Sequence, residues 1–221
     1  MLLECVEQET GPAPAWTVLW LHGLGADGHD FAPIVPELVR PQWPALRFVF
    51  PHAPLRPVTI NGGMRMRAWY DIVGMDFANR ADAAGIEESV QQVEALIARE
   101  VERGTPASRI VLAGFSQGGA IALATGLRRQ APLAGLVALS TYLPGGQAVA
   151  AQRHPNAVAQ PVFFAHGDGD PVIAVQHGLA SAQALEQVGF DVAWHRYPMA
   201  HQVCAQEIAD LGDWLQRRLA G

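Results

Sequence analysis

The feature that most constrains this chain is a short apolar run, Ile110 to Ala113, that ends in Gly114-Phe115-Ser116-Gln117-Gly118. The run reads as a buried strand, and the Ala120, Ile121, Leu123, Ala124 and Leu127 that follow recur at helical spacing. Strand, sharp turn and helix is the context in which a G-x-S-x-G motif holds a serine hydroxyl exposed above a sheet. Residues 114 and 118 fall where strand and helix cross closely, so a side chain at either would collide. Gly119 and Ala120 keep the helix start thin for the same reason. The plain alternative is an ordinary strand-to-helix turn that contains a serine. The flanking pattern favours an exposed nucleophile.

A strand buried in this way needs neighbours and cover. Half of the 221 residues are hydrophobic and 16% are charged, ample material for a sheet covered on both faces. Residues 2–7 read as a short edge strand, 17–21 as a second strand, and 46–50 as a third. Residues 31–40 read as a short amphipathic helix, with Asp30 as its N-cap and Pro33 in its first turn. From 51 to about 82 no periodicity is clear. The stretch is too aromatic for disorder, and Met64, Met66, Trp69, Tyr70, Ile72, Val73 and Met75 suit the wall of a pocket. Residues 84–103 form the plainest helix, closed by Gly104. Strands at 133–140, 161–165 and 191–197 alternate with helices at 175–188 and 203–219. The expectation is one α/β domain over 1–221 with a doubly covered, mostly parallel sheet. About twenty residues separate the strands at 133–140 and 161–165, too few for an inserted lid domain.

Parallel sheets carry their chemistry at the carboxyl ends of the strands. A serine hydroxyl needs a base to take its proton, and the base needs an acid to fix its tautomer. The strand ending at Ala165 leads into His166-Gly-Asp168-Gly-Asp170-Pro-Val172, and the strand ending at Tyr197 leads to His201. Ser116, an aspartate and His201 therefore fall in the order that the motif requires. Asp170 is the better acid, because Pro171 and Val172 would hold it rigidly, whereas Asp168 suits a loop-organising role on backbone amides. A metal held by His166, Asp168 and Asp170 is the weaker reading, since all three sit in one tight loop. Backbone N–H donors for a developing oxyanion would come from Gln117 and, in the glycine loop after the second strand, from Leu24. His22 suits pinning that loop.

Gly23-Leu24-Gly25-Ala26-Asp27-Gly28 also matches the G-x-G-x-x-G of dinucleotide sites. The helix begins past the third glycine, and the next strand ends without an acidic residue for a ribose, so this reading is weak. All fifteen basic residues are arginine, which excludes Schiff-base, pyridoxal-phosphate and Walker-type chemistry. A net charge of −6 without a basic block argues against nucleic acid. Cys5 and Cys204 lie far apart without metal-ligand spacing, a usage that suits the cytoplasm. No run is apolar and long enough to predict stable membrane insertion.

Together these segments resemble the small carboxylesterases and acyl-protein thioesterases of the α/β-hydrolase fold along nearly the whole chain. Leu21-His-Gly-Leu-Gly-Ala-Asp-Gly28 resembles that family's glycine loop and Ala68-Trp-Tyr-Asp-Ile72 its aromatic segment. Gly114-Phe-Ser-Gln-Gly-Gly-Ala120 resembles its elbow, with a glutamine after the serine, and His166-Gly-Asp-Gly-Asp-Pro-Val172 its acid loop. Ala200 and Gln202 flank His201 where the family often has glycine and serine. Asn61-Gly-Gly63 and the methionines after it look closer to the bacterial carboxylesterases than to the eukaryotic thioesterases.

The resemblance implies a cofactor-free, metal-free serine hydrolase with Ser116, Asp170 and His201 as its triad and Asp170 as the acid. The expected substrate is a short- to medium-chain acyl ester; the alternative is a long-chain acyl thioester or lysophospholipid. The acyl group is expected against Trp69, Ile72, Val73 and Val172. Family members often dimerise, so a homodimer using the apolar 64–75 segment is a further expectation. A non-catalytic ligand-binding relative is the reading from a different class.

Overall fold

The computed structural model describes residues 2–74 and 82–220. In chain order its strands are β1 (Cys5–Glu9), β2 (Trp16–Leu21), β3 (Leu46–Pro51), β4 (Leu55–Val58), β5 (Met64–Arg67), β6 (Ile110–Phe115), β7 (Gly135–Leu139), β8 (Val162–Gly167) and β9 (Val192–Tyr197). Its α-helices are α1 (Val35–Leu38), α2 (Ala83–Glu102), α3 (Gln117–Gly126), α4 (Gly146–Ala151), α5 (Val175–Gln187) and α6 (Ala205–Leu219). Seven strands form one sheet in the order β1-β3-β2-β6-β7-β8-β9, with β6 at its centre. Every pairing in it is parallel except β1 with β3.

The inner strands read as continuous apolar runs because both faces are covered. Leu19, Leu21, Leu112, Leu136 and Phe164 pack on one side with Val93 and Leu96 of α2, Ile121 of α3 and Leu185 of α5. Trp20, Phe48, Phe50, Val111 and Phe163 pack on the other with Leu38 of α1 and Leu211, Trp214 and Leu215 of α6. This is the α/β-hydrolase architecture, and between β7 and β8 the chain inserts only α4 and a 3-10 turn, Pro155–Ala159. Among the described residues no helix is long and apolar enough to cross a membrane, and Cys5 and Cys204 are free thiols.

Two local expectations need correction. Residues 31–40 do not make one amphipathic helix but a 3-10 turn, Ala32–Ile34, and the single turn α1. Pro33 and Pro36 remove two N–H donors from so short a segment, and Pro41 disfavours helical backbone at Arg40. Asp30 does not cap it; Phe31 holds the N-cap position without a side-chain bond. The stretch from 51 holds an antiparallel hairpin, β4 with β5, in the register Leu55↔Arg67 to Val58↔Met64. Pro57 hid it, since proline inside a run is tolerated only at a sheet edge. Asp71 fixes the hairpin end by accepting from the N–H and hydroxyl of Thr59 at 2.7 and 2.6 Å. Met75 lies outside the described residues.

Candidate active site

Ser116 stands between β6 and α3 with φ 54° and ψ −120°, a backbone conformation that side chains rarely adopt. Such strain costs about 1–3 kcal/mol and persists only where the surroundings over-determine it. Here they do. A Cβ on Gly114 would lie 2.4 Å from Gly118, and one on Gly118 would lie 2.4 Å from the carbonyl oxygen of Leu21. The Ser116 N–H donates to Leu139 O at 2.8 Å, and its carbonyl accepts from the Thr141 hydroxyl at 2.6 Å. The glycines therefore let α3 sit on β2 and β6, and the hydrogen bonds hold the serine at the crest.

His201 and Asp170 meet it from two other strand ends. His201 Nε2 lies 2.9 Å from Ser116 Oγ, and His201 Nδ1 lies 2.6 Å from Asp170 Oδ2. The carboxylate fixes the tautomer: Nδ1–H donates to Asp170, which leaves Nε2 to accept from the serine hydroxyl. Asp170 is itself held, with Oδ1 accepting from the Val172 and Ile173 N–H groups at 2.8 and 2.9 Å. It is the aspartate that bonds backbone amides, a role the sequence suggested for Asp168. Asp168 instead turns outward to Arg196 at 2.6 Å. A hydroxyl so placed can pass its proton to His201 as it attacks a carbonyl.

Ser116 and His201 open on a cavity of about 300 Å3. Leu24 and Gln117, the two residues expected to supply amide donors, line it too. Neither N–H donates to another described residue. Of the four expected acyl contacts, Ile72 and Val172 line the cavity and Trp69 and Val73 do not. Trp69 is fully buried behind the wall, its indole N–H donating to His22 O at 2.9 Å, and Val73 is 46% exposed on the outside. Tyr70, Phe115, Tyr142 and Ile173 supply the rest of the apolar wall. Tyr142 follows the carboxyl end of β7, a position that could have marked it; nothing local distinguishes Tyr70 from its neighbour Trp69.

The side chain of Gln117 carries a structural load of its own. Its Oε1 accepts from Trp69 N–H and its Nε2 donates to Tyr70 O, both at 2.8 Å and both buried. The glutamine thus closes two backbone bonds and ties the Tyr70–Ile72 wall to the elbow. Gln117→Ala would leave a buried donor and a buried acceptor unpaired, at about 1–3 kcal/mol each. We expect urea unfolding to show a loss of about 2–6 kcal/mol, with KM raised as the wall loosens. A loss within about 0.5 kcal/mol, the range of an ordinary surface change, would refute this role.

The remaining histidines near the site are fasteners. His22 is buried, which pushes its pKa down to about 4, so it is neutral; it bonds Gly23 O at 2.7 Å and accepts from Ala53 N–H at 3.1 Å. Burial also holds His166 below the usual range, and its Nε2–H donates to Ile173 O at 2.8 Å. With Asp168 on Arg196 and Asp170 on His201, the three residues do not converge on a common point for a metal. Asp27, His29 and His52 offer ligand atoms within 4.8 Å of one another. Two of those atoms already serve the glycine loop: Gly28 N–H occupies His52 Nδ1, and Asp27 Oδ1 accepts from His29 N–H. The dinucleotide reading of this loop loses its basis, because a 3-10 turn follows it where a phosphate-binding helix N-terminus would be needed.

Comparison with known proteins places the chain in a family. The profile of the phospholipase/carboxylesterase family matches residues 3–219. Acyl-protein thioesterase 1 of Mycosarcoma maydis is 40% identical over 228 residues, covering 96% of this chain and 95% of its own. The protein of the same name from Neurospora crassa is 40% identical over 217 residues, covering 92% and 86%. The crystal structure of Arabidopsis thaliana SOBER1 superposes with a TM-score of 0.87 at 30% identity, covering 92% of this chain and 99% of that one. These relatives are fungal and plant proteins, so the likeness of Asn61-Gly-Gly63 to bacterial members gains no support from them. Motif, sheet order and overall likeness agree, and the chain belongs to the phospholipase/carboxylesterase family of α/β-hydrolases.

Proposed function

We propose that this protein is a serine hydrolase that cleaves acyl thioesters through an acyl-enzyme on Ser116. The observation that carries the reading is the line from Ser116 through His201 to Asp170, opening on a cavity that Leu24 and Gln117 line. Ser116 Oγ attacks the acyl carbonyl while His201 Nε2 takes its proton, and Asp170 steadies the imidazolium that forms. The N–H groups of Leu24 and Gln117 receive the oxyanion, each worth about 3 kcal/mol of barrier. The proton then passes from His201 to the leaving atom, and water, activated by the same histidine, clears the acyl group.

The thioester is supported by the relatives at 40% identity, which are named acyl-protein thioesterases. Short- to medium-chain oxoesters are the second reading. The cavity of about 300 Å3 favours them, being at the small end for ligand sites. The exposed Leu55, Ile60 and Met64 of the β4–β5 hairpin offer the surface that a homodimer would cover.

Matched thioesters and oxoesters from acetyl to palmitoyl, with Ser116→Ala as control, test the proposal. We expect Ser116-dependent turnover that favours thioesters and falls off toward palmitoyl. Preference for short oxoesters would shift the assignment to the carboxylesterase reading. No Ser116-dependent turnover on any member would overturn both and leave a ligand-binding relative.

A further inference from the structure

Two cavities meet at His201. The first holds Ser116 and the two amide donors. The second, about 440 Å3, runs along the backbone that follows His201 and has an apolar floor of Phe31, Ile34, Val203 and Ile208. Asp30, Phe115 and His201 border both. A tetrahedral intermediate carries its acyl chain on one side and its leaving group on another, so the reaction needs two such spaces. The acyl carbon must sit with the oxyanion donors, in the first cavity. The leaving atom must reach His201 Nε2, which returns its proton. The leaving group therefore extends past His201 into the second.

Resting on the hydrolase reading above, we propose that this second groove is the leaving-group subsite and that it takes the cysteine-bearing segment of a basic peptide. Its charged carboxylates are Asp30 and Glu37, both exposed, and no arginine lines it. The whole chain carries a net charge of −6. That field attracts a cationic partner and repels the phosphates of a coenzyme A thioester. The groove is also open along exposed Pro33, Gln202 and Ala205, which suits an extended chain. The apolar floor receives the aliphatic stems of arginine or lysine while the carboxylates meet their heads.

The test compares kcat/KM for one acyl group on three thiols: a cysteine peptide flanked by arginines, the same peptide with glutamates in their place, and coenzyme A. A small neutral thioester of the same acyl group is the reference. We expect the basic peptide to lead the other two by about tenfold at low salt. The ratio should shrink severalfold at about 0.5 M salt, where charges are screened over a few ångströms. In the double variant Asp30→Asn, Glu37→Gln it should approach one. Equal rates on the basic and acidic peptides, or a ratio that the double variant leaves unchanged, would overturn the subsite while the reference thioester is still cleaved. Failure to cleave any of the four would overturn the hydrolase reading and the subsite with it.

Discussion

Ser116→Ala should lower kcat by about 10^6-fold and leave the folded state nearly untouched. The hydroxyl makes one side-chain bond, to His201 Nε2 at 2.9 Å, and the imidazole is only partly buried, so water can replace it. Alanine inherits the same φ of 54° and adds no atom, so unfolding should shift by no more than about 0.5 kcal/mol. Asp170→Asn is a sharper probe of the same line. An asparagine can keep its oxygen on the Val172 and Ile173 N–H groups, but then its NH2 faces His201 Nδ1. Two donors cannot share that bond, so the imidazole must flip its proton to Nε2 and cease to be a base; the loss should be about 10^4-fold. Because the residues act as one unit, Ser116→Ala combined with His201→Ala should be no slower than either alone. Steady-state turnover, together with urea unfolding of each variant, decides it. Additive losses would mean that the three side chains do not work in series.

How much of this was legible follows from what kind of signal each part leaves. Gly114, Ser116 and Gly118 are fixed by local sterics, and a strand–turn–helix crossing writes its needs into adjacent letters. Asp170 and His201 were legible because a parallel sheet delivers each loop to the same edge, so position after a strand stands in for position in space. Asp168 was assigned the backbone-bonding role that Asp170 plays, since spacing cannot tell which of two nearby carboxylates turns inward. The cavity wall was half legible for the same reason. Trp69, Tyr70, Ile72 and Val73 are all apolar enough, but the segment is held to the elbow by the Gln117 side chain through long-range bonds that leave no sequence period. The hairpin was hidden by Pro57, and the short α1 by reading Pro33 as a helix-start residue without weighing Pro36 and Pro41 after it.

Glu207→Gln should stabilise the protein above neutral pH by about 3 kcal/mol or more, the largest stabilisation expected of one substitution here. Two glutamates are fully buried, and they contrast. Burial opposes the charge of Glu100 as well, but Arg47, Arg103 and Arg99 surround it and hold its pKa below the usual value. Glu207 has no such partner. It lies in the first turn of α6, where a helix dipole favours an anion, yet burial pushes its pKa from 4.5 up to about 8. The Cys204 N–H pulls the other way without reaching full hydrogen-bond geometry and does not offset the burial. A folded-state pKa above the unfolded one gives stability that is fully present below about 4.5 and is lost as pH rises to about 8. The slope in that window is about 1.4 kcal/mol per pH unit from this one group, which accumulates to about 3 kcal/mol at pH 7. Glutamine keeps the shape and removes the titration. Urea unfolding from pH 5 to 8.5 should therefore give a wild-type curve that falls relative to the variant, with the gap levelling off above about 8. Parallel curves would show that Glu207 stays ionised in the fold. The stake reaches the site, because Glu207 lies in the first turn of the helix that follows His201, and Cys204, Ala205 and Ile208 around it line the second groove. A charge forced into that turn strains the base's own loop, so the variant should also hold its activity to higher pH than the wild type.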